Sequence, residues 1–240
     1  VLLDCGLFQG FKKLRDRNWA AFPLPPREID RVVLSHAHLD HSGYLPALVR
    51  DGFKGQVIAT EATRELCEIL LRDSARLQEE EAEFANRHGY SKHAPAEPLY
   101  TVRDAELALS LIEPVSFNEP FDLPGGLRGE LLPAGHLLGA SIVTIRKGRR
   151  SLVFSGDLGR SDDLLMRPPR TVDGADALVI ESTYGDREHD PEPMIDQIRT
   201  AFRETFARRG TVLIPAFALG RTQQVALILR DLMRAGELPN

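Results

Sequence analysis

The apolar residues of this chain fall in short runs that break off at small or ionisable residues. Val1-Leu2-Leu3 runs into Asp4-Cys5-Gly6, and Arg31-Val32-Val33-Leu34-Ser35 runs into His36. Gly129-Glu130-Leu131-Leu132-Pro133 leads to Ala134-Gly135-His136, and Ser151-Leu152-Val153-Phe154-Ser155 leads to Gly156-Asp157. Ala177-Leu178-Val179-Ile180 leads to Glu181-Ser182-Thr183. Runs this short, with β-branched content, predict buried strands. Each delivers an ionisable residue just past its end. If the strands share a sheet, loops at one edge can gather these residues into one site on a rigid scaffold.

Helical patterns lie between the runs. Residues 45–50 predict a short helix with Pro46 in its first turn. Residues 62–87 predict a long one opened by Thr60 or Thr63, and residues 102–111 a third. After Gly185 the pattern reads helix (194–208), buried strand (211–218) and helix (222–233), which suggests the start of a second α/β domain. The boundary is expected within residues 186–193.

Composition changes this picture little. A chain of 240 residues can hold one large domain, or one domain and part of another. Its apolar runs are too short to cross a bilayer, so no membrane role is expected. Two cysteines cannot form a disulfide framework, and the opening Val1-Leu2-Leu3 has no charged leader, so the expected location is cytoplasmic. The chain opens inside a strand-like run and stops after a helical pattern, as expected of a fragment. The net charge of −5 argues against a general electrostatic nucleic-acid binder. It leaves room for a nuclease whose bound metal ions meet the phosphate.

The candidate chemistry is concentrated in Ser35-His36-Ala37-His38-Leu39-Asp40-His41. Imidazole nitrogens and carboxylate oxygens suit Zn²⁺, and one loop can aim closely spaced ligands at neighbouring ions. His36, His38, Asp40 and His41, with His136 and Asp157 from two other strand ends, are too many for one ion and suit two. Cys5 is either a further ligand or, preferably, a small buried hydrophobe, and Cys67 reads as core. His88, His93 and His189 lie in polar stretches and are left outside the site. Arg199, Arg203, Arg208 and Arg209 form either a basic face on helix 194–208 or an ordinary solvated surface.

The series His36-x-His38-x-Asp40-His41, His136 and Asp157 resembles the ligand set of the metallo-β-lactamase superfamily. Glu181-Ser182-Thr183-Tyr184-Gly185 resembles the first added motif of its β-CASP branch of RNA-processing nucleases. The stretches Leu3-Asp4-Cys5-Gly6-Leu7-Phe8-Gln9-Gly10 and Val212-Leu213-Ile214-Pro215-Ala216-Phe217-Ala218 are also similar to that branch. The resemblance implies an αββα sandwich over residues 1–189, lacking its opening strands, and a truncated start of the inserted α/β domain over 190–240. It implies two zinc ions: His36, His38 and His136 on one, Asp40 and His41 on the other, and Asp157 bridging them. Asp4 would support the ligand loop. Asp40 would orient the attacking hydroxide, and Glu181 would orient an acid histidine beyond Asn240. The implied activity is phosphodiester hydrolysis by a two-metal-activated hydroxide on single-stranded RNA, in processing or decay, with a homodimer as one open assembly state. The rivals are a DNA-repair nuclease of the same branch, a thioester- or lactam-type hydrolase, and an inactive scaffold homologue.

Overall fold

The computed structural model describes residues 1–188 and 193–238. His189 and the expected domain boundary between 189 and 190 therefore lie outside the described residues. By backbone contacts the chain forms two compact units, one of residues 1–161 and 166–181, the other of 162–165 and 182 onward.

In the first unit, β1 (Leu2–Leu3), β2 (Arg31–Val33), β3 (Gln56–Thr60) and β4 (Ile112–Val115) form a parallel sheet in that order. Parallel neighbours need crossover connections, and helices supply them. Helix α1 (Lys12–Arg15) lies between β1 and β2, and α2 (Leu39–Ser42) and α3 (Leu45–Arg50) between β2 and β3. Helices α4 (Glu61–His88) and α5 (Val102–Leu109) lie between β3 and β4. Thr60 caps α4 by accepting the Thr63 N–H, and Gly89 ends it in a left-handed conformation. The second sheet runs β5 (Phe121–Leu123), β6 (Leu127–Pro133), β7 (Ser141–Lys147), β8 (Arg150–Phe154) and β9 (Ala177–Val179). Its pairings are antiparallel up to β8, and β9 joins β8 in parallel.

The central strands of the first sheet, β2 and β3, are buried on both faces, so successive residues serve different layers. Val32, Val57 and Ala59 pack against the helices, where Cys67, Leu71 and Ala75 form a stripe at four-residue spacing along α4. Val33 and Ile58 point the other way and meet Leu123, Leu131, Val143 and Ile145 of the second sheet. Two packed sheets in a mixed α/β fold are the expected class. The predicted strands do not share a single sheet: β1 and β2 belong to one, β6, β8 and β9 to the other. The run at 177–180 is also not buried, since β9 exposes both faces and Leu178 is 58% exposed. No described helix is long and apolar enough to cross a membrane.

The second unit contains α6 (Met194–Ala207) and α7 (Arg221–Arg234), joined by Phe202 packing with Ile228, Leu232 and Leu238. Residues 211–218, expected as a buried strand, form none, and Leu213 and Phe217 are 87% and 79% exposed. An extended segment becomes a strand only beside a ladder partner, and none pairs with it among the described residues. The arginines of α6 do not form a free basic face either. Arg199 pairs with Asp196 and Glu237 and Arg203 with Glu237, while Arg208 and Arg209 lie beyond the end of α6.

Leu131, fully buried between the sheets, tests the layer assignment against exposed Leu178. Leu131→Ala is expected to cost about 2–5 kcal/mol, and Leu178→Ala less than about 0.5 kcal/mol, by urea denaturation. Similar costs for the two would contradict the layering.

Candidate metal centre

Three loops converge at the ends of the two sheets, and Ser35 joins them. It follows β2 and is fully buried. Its N–H donates to Asp4 Oδ1 (2.6 Å) and its hydroxyl to Asp4 Oδ2 (2.7 Å), fastening β2 to the end of β1. Its carbonyl accepts both the N–H (2.8 Å) and the hydroxyl (2.9 Å) of Ser141, the first residue of β7. One residue thus ties the first sheet to the second.

The ligand loop is pinned from below and from the side. The Cys5 N–H bonds to the His41 carbonyl and the Leu7 N–H to the Leu39 carbonyl, so residues 5–7 run along the loop. Between them, a Cβ on Gly6 would stand 1.6 Å from the Asp40 carbonyl oxygen, which only glycine permits. The Ser42 hydroxyl donates to the carbonyls of Ala37 and His38. The turn carrying His136 is held by the Gly139 carbonyl, which accepts the hydroxyls of Thr60 (2.8 Å) and Thr63 (3.0 Å) at the start of α4. The Asp157 loop lies against this turn so closely that a Cβ on Gly159 would meet the Gly135 carbonyl oxygen at 1.9 Å.

The convergence brings His36 Nε2 to 3.1 Å and His136 Nε2 to 3.2 Å from His38 Nδ1. With Asp157, these residues offer four donor atoms within 4.8 Å of one another. Ligands about 2.0–2.1 Å from one tetrahedral ion stand about 3.4 Å apart, so the nitrogen spacing fits a shared cation. The Asp157 carboxylate divides its oxygens. Oδ2 lies 3.6 Å from His136 Nε2 and 3.9 Å from His36 Nε2, while Oδ1 lies 3.2 Å from His41 Nε2. His41 Nε2 is also 3.8 Å from Asp40 Oδ2.

Hydrogen bonds behind the rings set which nitrogen of each faces inward. His41 Nδ1 lies 2.6 Å from Asp4 Oδ2, so Nδ1 carries the proton and Nε2 is the candidate ligand atom. The Ser35 hydroxyl donates to Asp4 and can only accept from His36 Nδ1, 3.0 Å away, which leaves His36 Nε2 bare. Asp4 therefore orients two rings, one directly and one through Ser35. Its backbone is left-handed (φ 57°), a conformation aspartate tolerates better than most residues.

His38 presents Nδ1 where the other two rings present Nε2. Its Nε2 is buried with no hydrogen-bond partner among the described residues. With the proton on Nε2, the bare Nδ1 faces two other imidazole nitrogens, an arrangement relieved by a positive ion at their centre. Burial, followed by neighbouring imidazoles, pushes His36 well below the usual histidine range and lowers His38, and burial lowers His136. These rings are neutral, as metal ligands must be. His41 differs. Burial would lower it, but hydrogen bonds to Asp157 and Asp4 raise it to about 10. Asp157 in turn is held below the usual carboxylate range, first by its bond to His41. The carboxylates thus favour positive charge at the place where a second cation would sit.

The remaining expected residues occupy distinct places. Asp40 is half exposed at the mouth of the cluster. Glu181 follows β9, and its Oε1 accepts the Leu158 N–H (2.7 Å), so it braces the residue after Asp157. Cys5 is buried, and burial followed by the Asp4 charge keeps its thiol protonated, while Cys67 lies in the core. His88 and His93 are exposed, and His88 Nδ1 faces the Phe84 carbonyl at the end of α4. Ser35, Ser141 and the close-approach glycines are the site's unforeseen members. A hydroxyl directly before the first histidine is the only sequence signal for Ser35.

The family profile described as Metallo-beta-lactamase superfamily matches residues 1–211. Ribonuclease TTHA0252 of Thermus thermophilus is 39% identical over 95% of this chain and 49% of its own length. Transcription termination factor FttA of Methanococcus maripaludis is 31% identical, over 96% of this chain and 35% of its own length. Cleavage and polyadenylation specificity factor 73 of Drosophila melanogaster is 32% identical, over 96% of this chain and 32% of its own length. The chain spans half or less of each of these relatives. The profile match takes in the histidine loop, His136 and Asp157 alike, and this chain belongs to the metallo-β-lactamase superfamily.

Proposed function

We propose that the chain is the metal-binding part of a zinc-dependent ribonuclease of the β-CASP branch, with two zinc ions at the cluster. The observation that carries the two-ion reading is the divided Asp157 carboxylate, with one oxygen towards His36 and His136 and the other towards His41. In this reading His36, His38 and His136 hold one ion, Asp40 and His41 contribute to the other, and Asp157 serves both. RNA as substrate is supported by relatives named as a ribonuclease and as a cleavage and polyadenylation factor. The domain reading is a metallo-β-lactamase domain over 1–189 and the start of an inserted domain over 190–240.

Bound metal ions would supply Lewis acidity towards a phosphoryl oxygen and lower the pKa of water so that a nucleophile exists at neutral pH. The side chains do the rest. Asp40, half exposed and next to His41, accepts a hydrogen bond from the attacking water and aims it. Asp4 holds His41 and, through Ser35, His36 in the ligand tautomer. Glu181 fixes the loop after Asp157 and keeps a carboxylate beside His136.

Three substitutions test these roles in the full-length protein. His38→Ala is expected to remove bound metal and lower RNA hydrolysis more than about a hundredfold, beyond the ~10–100-fold usual for outer-shell changes. Retention of metal and near-normal turnover would remove His38 from the ligand set. Asp4→Asn loses an acceptor serving His41 and Ser35, and should weaken metal affinity by roughly 10–100-fold in competition with a chromophoric chelator. Unchanged affinity would show that the tautomers are set elsewhere. Glu181→Gln can still accept the Leu158 N–H, so metal content should stay constant while RNA cleavage slows by roughly tenfold or more. Loss of metal would instead make Glu181 a structural support of the cluster.

A further inference from the structure

Immediately beyond the ligand loop's partner segment, the chain turns outward into a surface rich in aromatic and basic side chains. Residues 8–22 contain Phe8, Phe11, Trp19 and Phe22 with Lys12, Lys13, Arg15 and Arg17, against the single carboxylate Asp16. This positive stretch stands out in a chain of net charge −5. Phe11 is 85% exposed and Trp19 61%. Large apolar rings exposed close together in one short segment are candidates for a partner surface.

The segment is held, not loose. Asn18 is buried and grips the Phe8 backbone with both ends of its amide: the Phe8 N–H donates to Oδ1 (2.8 Å) and Nδ2 donates to the Phe8 carbonyl (2.9 Å). The loop between them is closed like a clasp, with α1 inside it. The Arg17 guanidinium lies over the Phe8 ring, 4.7 Å from its centre, which leaves Phe11 and Trp19 as the open faces. Among the described residues Lys13 and Arg15 pair with no carboxylate, while Lys12 pairs with Asp16. Trp19 also walls a cleft of about 440 Å³ lined by Tyr44, Arg50 and Asp51.

We infer that residues 8–19 form a binding surface for single-stranded RNA, with bases stacking on Phe11 and Trp19 and phosphates meeting Lys13 and Arg15. This rests on the ribonuclease reading. Open aromatic faces beside free cations match a strand with exposed bases, because every base offers a face for stacking and every linkage a charge. Position supports it too. The Leu7 N–H bonds to the Leu39 carbonyl, one residue from Asp40, so the segment departs from beside the histidine loop.

Trp19 is the only tryptophan of these 240 residues, and subtracting the signal of a Trp19→Phe variant isolates its fluorescence in the full-length protein. A decauridylate would be titrated into the full-length protein in EDTA, which separates binding from cleavage. Quenching of Trp19 fluorescence is expected. Phe11→Ala should weaken binding roughly tenfold, with Phe11→Tyr restoring it. Lys13→Ala/Arg15→Ala should reduce the slope of log affinity against log salt by about 1.4. All these side chains are exposed, so the variants should melt with the parent. Binding without quenching, and within twofold for Phe11→Ala, would overturn this surface and leave the nuclease reading intact. A parent protein that neither binds nor cuts RNA would overturn both.

Discussion

The structure turns on the hydrogen bonds of one small residue, Ser35. Its N–H and hydroxyl reach Asp4 at the end of β1, its carbonyl takes two bonds from Ser141 at the start of β7, and His36 follows directly. Ligands contributed by two different sheets can meet only if the sheet ends are held in register, and these bonds hold them. Glycine allows the final approach. Gly6 lies under the Asp40 carbonyl, Gly159 against Gly135, and a Cβ on Gly156 would stand 2.7 Å from the Ser35 Cβ. Any side chain at these points would force the loops apart.

Convergence has an electrostatic consequence. Three neutral imidazoles are packed with their nitrogens facing one another, and a fourth is drawn towards a positive charge by Asp4 and Asp157. The fold therefore carries unfavourable terms at the cluster that bound cations relieve. Metal binding and the stability of these loops are then coupled, as in other sites whose ligands are assembled by folding. The left-handed backbone of Asp4 belongs to the same balance, its strain offset by the bonds it makes to Ser35 and His41.

Legibility in the sequence followed the range of the interactions. His36, His38, Asp40 and His41 are readable because they crowd into one loop, and His136 and Asp157 because each follows an apolar run. Asp4's importance is visible only through resemblance, since an aspartate after two leucines is unremarkable by itself. The role of Ser35 is not readable at all: its partners are 31 and 106 residues away. Strands β3, β4, β5 and β7 stand outside the runs that mark the candidate site, because none of them leads into a residue of the histidine and carboxylate cluster. Residues 211–218 show the opposite error. Their apolar, β-branched composition predicts a strand, but composition cannot supply the neighbouring ladder that a strand requires. The arginines of α6 look like a basic face until Glu237, distant in sequence, is found beside them.

The central claim is that the Asp157 carboxylate is shared between two zinc ions. Crystals of the full-length protein grown with zinc, measured on both sides of the zinc absorption edge, test it most directly. The account predicts two anomalous peaks, both within coordination distance of Asp157, one beside His36, His38 and His136 and the other beside His41. A single peak, or none at the cluster, would contradict it.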